Sequence, residues 1–305
     1  MKFGVSLIMR GKDATPEAFF ALAGQAEALG YDALWCSDHI FFPKFTQSYP
    51  NTPHGGVPPA WVEGYWDCLT VLNQVAARTQ RIRIGTSVLI LPMHHPVDTA
   101  KQVACLDRFA NGRFIFGVGV GWLKDEFEAL NWPFAERGAR TDEGLEICRK
   151  LWTQDQASHR GRFYSFEDAY CAPKPLQQPH PPIWIAGSSS AALRRTARFG
   201  DAWHPFKPSP ALLKERLPEL KRCLEEAGRK PESVGLAPKV PVGFQDRATQ
   251  PGQEATEGRP QDILDAVRRF QELGATDLVL DYKPETPETA RVMLDRFANE
   301  VRAKL

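Results

Sequence analysis

Arg113-Phe114-Ile115-Phe116-Gly117-Val118-Gly119-Val120-Gly121-Trp122, running on to Asp125-Glu126-Phe127, is the stretch that decides how this chain is read. An apolar strand comes first, then glycines at alternate positions, then the acidic start of a helix. Residues two apart on a strand share a face. Gly117, Gly119 and Gly121 therefore leave one face of the strand end without side chains. A flat ligand can lie against such a backbone where a Cβ would hold it off. A tight strand–helix turn with no ligand would show the same glycines. A dinucleotide fingerprint, G-x-G-x-x-G, fails on spacing. Counted from Gly117 its third glycine falls on Trp122, and counted from Gly119 it falls on Lys124. Such a fingerprint also opens its domain, whereas three strand–helix units precede this one.

Outward from that stretch, one unit recurs: a helix, a glycine, a short polar step, an apolar strand. It stands at Gly30-Tyr31-Asp32-Ala33-Leu34-Trp35, at Gly112-Arg113-Phe114, at Gly200-Asp201-Ala202-Trp203 and at Gly274-Ala275-Thr276-Asp277-Leu278-Val279. Thr15-Pro16-Glu17 marks a helix start, with Phe19, Leu22, Ala23, Ala26 and Leu29 at helical spacing and Gly30 at its end. Strands are expected around residues 3, 33, 82, 113, 182, 201, 234 and 276. Strands alternating with amphipathic helices predict a parallel sheet with crossover helices. That many strands in 305 residues favour a single α/β domain over 1–305, a closed (β/α)8 TIM barrel with insertion loops at its C-terminal face. In that fold the residues just after each strand build the active site. Here these are Ser37-Asp38-His39, Thr86-Ser87-Val88, Gly119-Val120-Gly121-Trp122, Gly187-Ser188-Ser189-Ser190 and Trp203-His204.

Composition narrows the partners. The chain is 43% hydrophobic, with a formal net charge of +1 and no long basic block. Nucleic acid and anionic membrane are not expected partners. Six scattered cysteines form no CxxC pair, which reads as reduced thiols in the cytosol. The first residues enter a strand directly, leaving no room for a signal peptide, and no apolar run reaches membrane-spanning length. A cytoplasmic protein is expected.

Two segments exceed plain connections. Phe41 to Trp66 carries Phe42, Phe45, Tyr49, Trp61 and Tyr65, and suggests an apolar roof over a pocket; packing on itself or on a partner subunit would use the same aromatics. Gln154 to Pro182 is proline-rich and reads as an insertion. Gln245 to Gly258 is a polar excursion.

Gly187 to Ser190 follows an apolar strand and starts a helix. Free amides, serine hydroxyls and the positive helix end suit a phosphate, although an ordinary serine cap has the same sequence. Arg194 and Arg195 would add charge there, or face solvent or an acid. His39, beside Asp38 at a strand end, is the leading acid–base candidate. Neighbours on a strand point to opposite faces, so the two need not touch. His204 is second, and His94 and His95 read as turn residues. Arg137, Arg140, Asp142 and Glu143 read as capping and ion pairs at a helix entry. No histidine pair has metal spacing, and no Gly-x-Ser-x-Gly elbow is present.

Together, several of these motifs resemble the bacterial-luciferase-like flavin monooxygenase superfamily, and within it the branch dependent on the deazaflavin coenzyme F420. They are Ala26-Glu27-Ala28-Leu29-Gly30-Tyr31-Asp32, Ser37-Asp38-His39, Arg83-Ile84-Gly85-Thr86-Ser87-Val88, Gly117 to Phe127, and Arg137-Gly138 with Arg140-Thr141-Asp142-Glu143. Pro173-Lys174-Pro175, Gly187-Ser188-Ser189 and Gly200-Asp201-Ala202-Trp203 complete the set. The resemblance implies a flavin-type ring at the strand ends, against Thr86, Ser87, Val88, Gly119, Gly121 and Trp122. It implies a non-prolyl cis peptide within Thr86-Ser87-Val88, a phosphate on Gly187 to Ser190, and His39, with Asp38 beside it, as the group that takes a hydroxyl proton while hydride leaves carbon. Two positions depart from the branch patterns. Trp122 stands where the sugar-phosphate dehydrogenases carry glutamate, which favours an apolar or aromatic substrate. Ala192 replaces the last glycine of the FMN-type phosphate helix, which leans toward F420 over FMN. The resemblance also implies a homodimer. An FMNH2-dependent monooxygenase fed by a flavin reductase, and a barrel that binds flavin without turnover, are the alternatives.

Overall fold

Every position where a strand was expected carries one. The computed structural model describes residues 1–43, 58–249, 256–283 and 286–305. Phe45 and Tyr49 of the aromatic segment, and the middle of the Gln245–Gly258 excursion, lie outside the described residues. The strands are β1 (Lys2–Ser6), β2 (Ala33–Cys36), β3 (Arg83–Thr86), β4 (Leu89–Ile90), β5 (Phe114–Gly119), β6 (Gln156–Arg160), β7 (Ser165–Tyr170), β8 (Ile183–Ala186), β9 (Ala202–His204), β10 (Gly235–Leu236), β11 (Lys239–Phe244), β12 (Glu257–Gly258) and β13 (Asp277–Tyr282). The helices are α1 (Pro16–Ala28), α2 (Pro59–Val62), α3 (Cys68–Ala76), α4 (Pro96–Phe109), α5 (Lys124–Ala129), α6 (Arg137–Thr153), α7 (Ser190–Phe199), α8 (Pro210–Glu226), α9 (Pro260–Glu272) and α10 (Pro287–Arg296).

The main sheet runs β10-β9-β8-β5-β3-β2-β1-β13-β11-β12, with β4 on β5. Its pairings are parallel. Bridges from Phe206 to Lys239 and from Leu236 to Ala275 join its two ends, so the sheet curls on itself. The polar step of the recurring unit has a physical role in this closure. Asp32 accepts the Phe3 N–H at 2.7 Å and Asp201 accepts the Ile183 N–H at 2.8 Å. Asp277 accepts from Arg83 at 2.8 Å. Each carboxylate ties the entry of its strand to another strand.

Helix α1 shows why the local sequence folds as it does. The Thr15 hydroxyl accepts the Ala18 N–H at 3.3 Å, and Pro16 fills the first helical position. Phe19, Leu22, Ala23 and Ala26 are buried against the sheet. At its far end Glu27 accepts three N–H groups, from Gln80, Arg81 and Ile82, at 2.7 to 3.0 Å. The Gln154–Pro182 insertion is more ordered than a loop reading implies. Strands β6 and β7 form an antiparallel hairpin outside the main sheet.

Side chains fill the space inside the curled sheet. Trp35 packs on Trp184 with ring centroids 4.5 Å apart and stacks on His204 at 5.9 Å. Ala33, Ile115, Ala202, Ala237 and Val279 complete this inner cluster. Room for Trp35 comes from two missing side chains. A Cβ at Gly4 would lie 2.1 Å from the indole nitrogen, and one at Gly85 2.5 Å from its ring.

The glycine face of β5 is covered by protein, where the sequence suggested a bare surface. A Cβ at Gly117 would lie 1.9 Å from the Thr86 carbonyl oxygen, one at Gly119 2.5 Å from a Val88 methyl, and one at Gly121 2.7 Å from an Ile90 methyl. The glycines make room for the kinked 86–90 backbone, which fills the space expected for a ligand. Gly117→Ala therefore forces backbone against backbone and should destabilise the fold by about 1–3 kcal/mol. Gly24, mid-α1, has nothing within 4 Å of its Cβ position, so Gly24→Ala should stabilise by about 0.5–1 kcal/mol. Urea unfolding of both variants reads the opposite signs; a neutral Gly117→Ala would refute the packing argument.

Candidate active site

His39 lies three residues beyond β2, where the chain leaves the sheet. Its Nδ1 is 2.8 Å from Oε2 of Glu126, in the first turn of α5. The other carboxylate oxygen, Oε1, accepts the Ile40 N–H at 2.8 Å and the Phe41 N–H at 3.4 Å. Glu126 is fully buried. A carboxylate withdrawn from water is tolerable only when its oxygens are bonded, and here both are. The imidazole sits among aromatic rings: Phe42 at 4.6 Å, Tyr65 at 5.4 Å, Trp122 at 5.8 Å and Trp61 at 6.2 Å between centroids. Tyr65 bonds to Ser37 at 2.5 Å, and the Arg10 guanidinium lies over Trp61. This part of the aromatic segment surrounds the acid–base candidate.

Asp38 points elsewhere. It is buried, and its Oδ2 accepts the Ile90 N–H at 2.9 Å and meets His94 Nε2 at 2.7 Å. Burial acts to lower the His94 pKa, but the hydrogen bond and charge of Asp38 outweigh it, and the net shift is upward. His94, read as a turn residue, is thus the partner of Asp38. The partner of His39 is Glu126, which the sequence presented only as the acid of a helix start.

The peptide bond between Ser87 and Val88 is cis, within the segment where the resemblance placed one. Thr86 is buried and donates to the Gly117 carbonyl at 2.7 Å. Ser87 Oγ bonds to His204 Nε2 at 2.9 Å, and His204 Nδ1 donates to the Ala237 carbonyl at 2.5 Å. With Nδ1–H given to a carbonyl, Nε2 accepts from the serine. Burial drives the His204 pKa down to about 4, so this ring is neutral and belongs to the inner core with Trp35. Of the expected ring contacts, Val88 packs on Gly119, Gly121 is covered by Ile90 and Phe127, and Trp122 stands partly exposed beside His39.

Gly187, with φ at +102°, turns the chain from β8 into α7, and its carbonyl accepts from Trp203 Nε1 at 2.7 Å. Ser189 is the cap, accepting the Ala192 N–H at 3.3 Å. Ser190 is hydrogen-bonded to Glu219 of α8, and Ser188 is half-buried at the helix start. Arg195 is buried and bonds to Asp142 at 2.5 Å and to the Gly138 carbonyl at 3.1 Å, whereas Arg194 is exposed. The arginines are therefore separated in role, and Arg195 serves the α6–α7 contact. No cluster of metal-ligating side chains occurs among the described residues, and none of the described helices is long and apolar enough to cross a membrane.

A family model described as luciferase-like monooxygenase matches residues 1–251. The chain is 31% identical over 296 residues to an uncharacterised protein of Mycobacterium tuberculosis, covering 94% of this chain and 95% of that one. It is 31% identical over 247 residues to an F420-dependent glucose-6-phosphate dehydrogenase of Amycolatopsis mediterranei, covering 79% and 69%. It is 38% identical over 141 residues to an FMNH2-dependent dimethylsulfone monooxygenase of Pseudomonas putida, covering 45% and 38%. Among solved structures, an F420-dependent secondary alcohol dehydrogenase superposes with a TM-score of 0.81 at 18% identity, over 99% of this chain and 98% of that one. At that identity the likeness is one of fold.

The depressed His204 pKa makes stability depend on pH. The unfolded chain binds a proton here as pH falls below 6.5, while the folded protein stays neutral until about 4. This contribution is complete above pH 6.5 and is lost as pH falls toward 4, amounting to about 3 kcal/mol. Urea midpoints across that window should fall more steeply for the wild type than for His204→Gln. Parallel slopes would show that the ring is not kept neutral.

Proposed function

The chain belongs to the luciferase-like monooxygenase family, and from that premise we propose that it is an F420-dependent oxidoreductase. It transfers hydride to or from a small organic substrate that is apolar or aromatic. The observation that carries this reading is His39, held at Nδ1 by the buried Glu126 and lined by Phe42, Trp61, Tyr65 and Trp122. With Nδ1–H donated to the carboxylate, the Nε2 lone pair of neutral His39 takes or returns a hydroxyl proton. The aromatic rings exclude water and give a flat or apolar substrate its contacts.

The residues at the strand ends fit a flavin-type coenzyme. Ser6 Oγ, at the end of β1, is buried without a hydrogen-bond partner, a polar group that a ligand would satisfy. Thr86, Ser87, Val88 and Trp122 would hold the ring, with Gly119 and Gly121 setting the path of the backbone behind it. Gly187, Ser188, Ser189 and Ser190 would hold the phosphate through the amides of α7. The coenzyme, when bound, supplies the two-electron chemistry. Ala192, whose Cβ would sit 3.2 Å from one at Gly187, departs from the FMN pattern and favours F420.

The same reading takes the chain as one barrel over 1–305. β3 with β4, and β10 with β11, each count as one interrupted strand, and the two-residue β12, which pairs only with β11, counts as an appendage, leaving the (β/α)8 repeat. A cytoplasmic homodimer goes with it. A second reading, an FMNH2-dependent monooxygenase fed by a reductase, is supported by the identity to the Pseudomonas putida enzyme. Oxygen uptake during turnover separates the two. A barrel that binds the coenzyme without turnover is the remaining case.

Fluorescence-quenching titrations with F420 and with FMN test the proposal directly. F420 should bind at least about tenfold tighter, a difference of ~1.4 kcal/mol. Tighter FMN would move the assignment to the monooxygenase, and no binding of either would remove it. On alcohols or carbonyl compounds found by following F420 absorbance, His39→Ala should lose about 10²- to 10⁴-fold in turnover with coenzyme affinity kept. Full turnover by that variant would dismiss His39 as the acid–base group.

A further inference from the structure

We propose that Glu126 is the positioning residue of this site: it fixes which nitrogen of His39 carries the proton and ties that choice to the start of the aromatic segment. The inference rests on the acid–base reading of His39 for its catalytic meaning, but its physical content can be measured without it.

Three donors converge on this one side chain. His39 Nδ1 lies 2.8 Å from Oε2, and the N–H groups of Ile40 and Phe41 lie 2.8 and 3.4 Å from Oε1. An ionised carboxylate is acceptor-only, with lone pairs on both oxygens, and can receive all three. Its burial makes an unmet bond costly, so the arrangement holds as a set. Two consequences follow. First, neutral His39 must keep its proton on Nδ1, which leaves Nε2 unprotonated. Second, the same carboxylate holds the backbone of residues 40 and 41, from which the segment bearing Phe42 continues. The ring's tautomer and the path of the chain beside it are set by one group.

Glu126 itself has no freedom to turn away. The neighbouring Phe127 is fully buried against Ile90 and Met93, and its edge packs on Phe134 at 5.3 Å. Leu123, which opens α5, is also buried. Between these two anchors the first turn of α5 presents Glu126 to residues 39–41.

Glutamine cannot substitute. An amide has one acceptor oxygen and one donor NH2 group. With the oxygen toward Ile40 and Phe41, the NH2 donates to Nδ1 and drives the histidine proton to Nε2. With the amide reversed, the NH2 faces two N–H donors. The first orientation keeps three hydrogen bonds and inverts the tautomer, whereas the second forfeits both backbone bonds, so the first is the one a folded Glu126→Gln adopts.

The experiment uses full-length protein labelled with ¹⁵N-histidine, with His39 assigned by its loss in His39→Ala. Multiple-bond ¹H–¹⁵N correlation spectra are recorded at alkaline pH, where an ordinary imidazole is neutral. The wild type should show His39 with Nδ1 protonated and Nε2 bare; an Nε2–H tautomer there would overturn the inference with no variant needed. In Glu126→Gln the protonated nitrogen should switch to Nε2, while the far-UV circular dichroism spectrum and a cooperative unfolding transition are retained, the mark of a fold kept intact. Retention of the Nδ1–H tautomer in a folded Glu126→Gln would also overturn it. On a turned-over substrate, Glu126→Gln should lose about as much activity as His39→Ala, and the double variant no more, because the two act as a unit. If His39→Ala were fully active, the acid–base reading would fall, whereas the spectra would still decide whether Glu126 sets the tautomer.

Discussion

The Thr86 carbonyl oxygen occupies the place where any side chain on Gly117 would have to begin. That close approach of β3 to β5 is the constraint on which the rest of the candidate site depends. It lets the chain kink between Thr86 and Ile90 and still pack, with Val88 over Gly119 and Ile90 over Gly121. The kink in turn places the Ile90 N–H on Asp38 and the Ser87 hydroxyl on His204. Gly121 also receives the Phe127 ring, which seats α5 and with it Glu126. A line of absent side chains thus fixes the positions of three histidines and two carboxylates.

Those histidines are kept in different electrostatic states by their surroundings. His204 is stacked with Trp35 inside the sheet and stays neutral because the loss of water outweighs its bond to the Ala237 carbonyl and the charge of Asp277. His94 faces the Asp38 carboxylate, which raises its pKa against the effect of burial. His39 shares Glu126 with two backbone amides and stands next to the aromatic rings. Two carboxylates each take one histidine, and each also binds backbone, Asp38 one N–H group and Glu126 two. The polar groups at these strand ends hold the backbone and orient the rings at the same time.

Much of the architecture was legible in the chain. The recurring glycine, polar step and apolar strand located the strands because a helix must end, turn and re-enter the sheet within a few residues. The aspartates of that step turned out to bond across strands, which explains why the step is polar. The Ser37-Asp38-His39 and Thr86-Ser87-Val88 segments fall at strand ends, as the alternation required. The hairpin of β6 and β7 was hidden because its strands are largely exposed, so they lack an apolar run. The strand after residue 234 is interrupted between Leu236 and Lys239, at Pro238, which has no N–H to give to a ladder.

By itself the sequence determined the order of elements, the end of the sheet where polar and aromatic residues gather, and the histidine to watch, because these follow from periodicity and from which residues lie just past each strand. Only the tertiary structure decided what covers the glycines and who partners whom. Asp38 is adjacent to His39 in the chain, yet alternation turns it toward Ile90 and His94. Glu126 is 87 residues away from His39 and looks like any acid in a first helical turn. Contacts of that separation depend on how two strand ends and a helix pack together, and spacing along one chain carries no record of it.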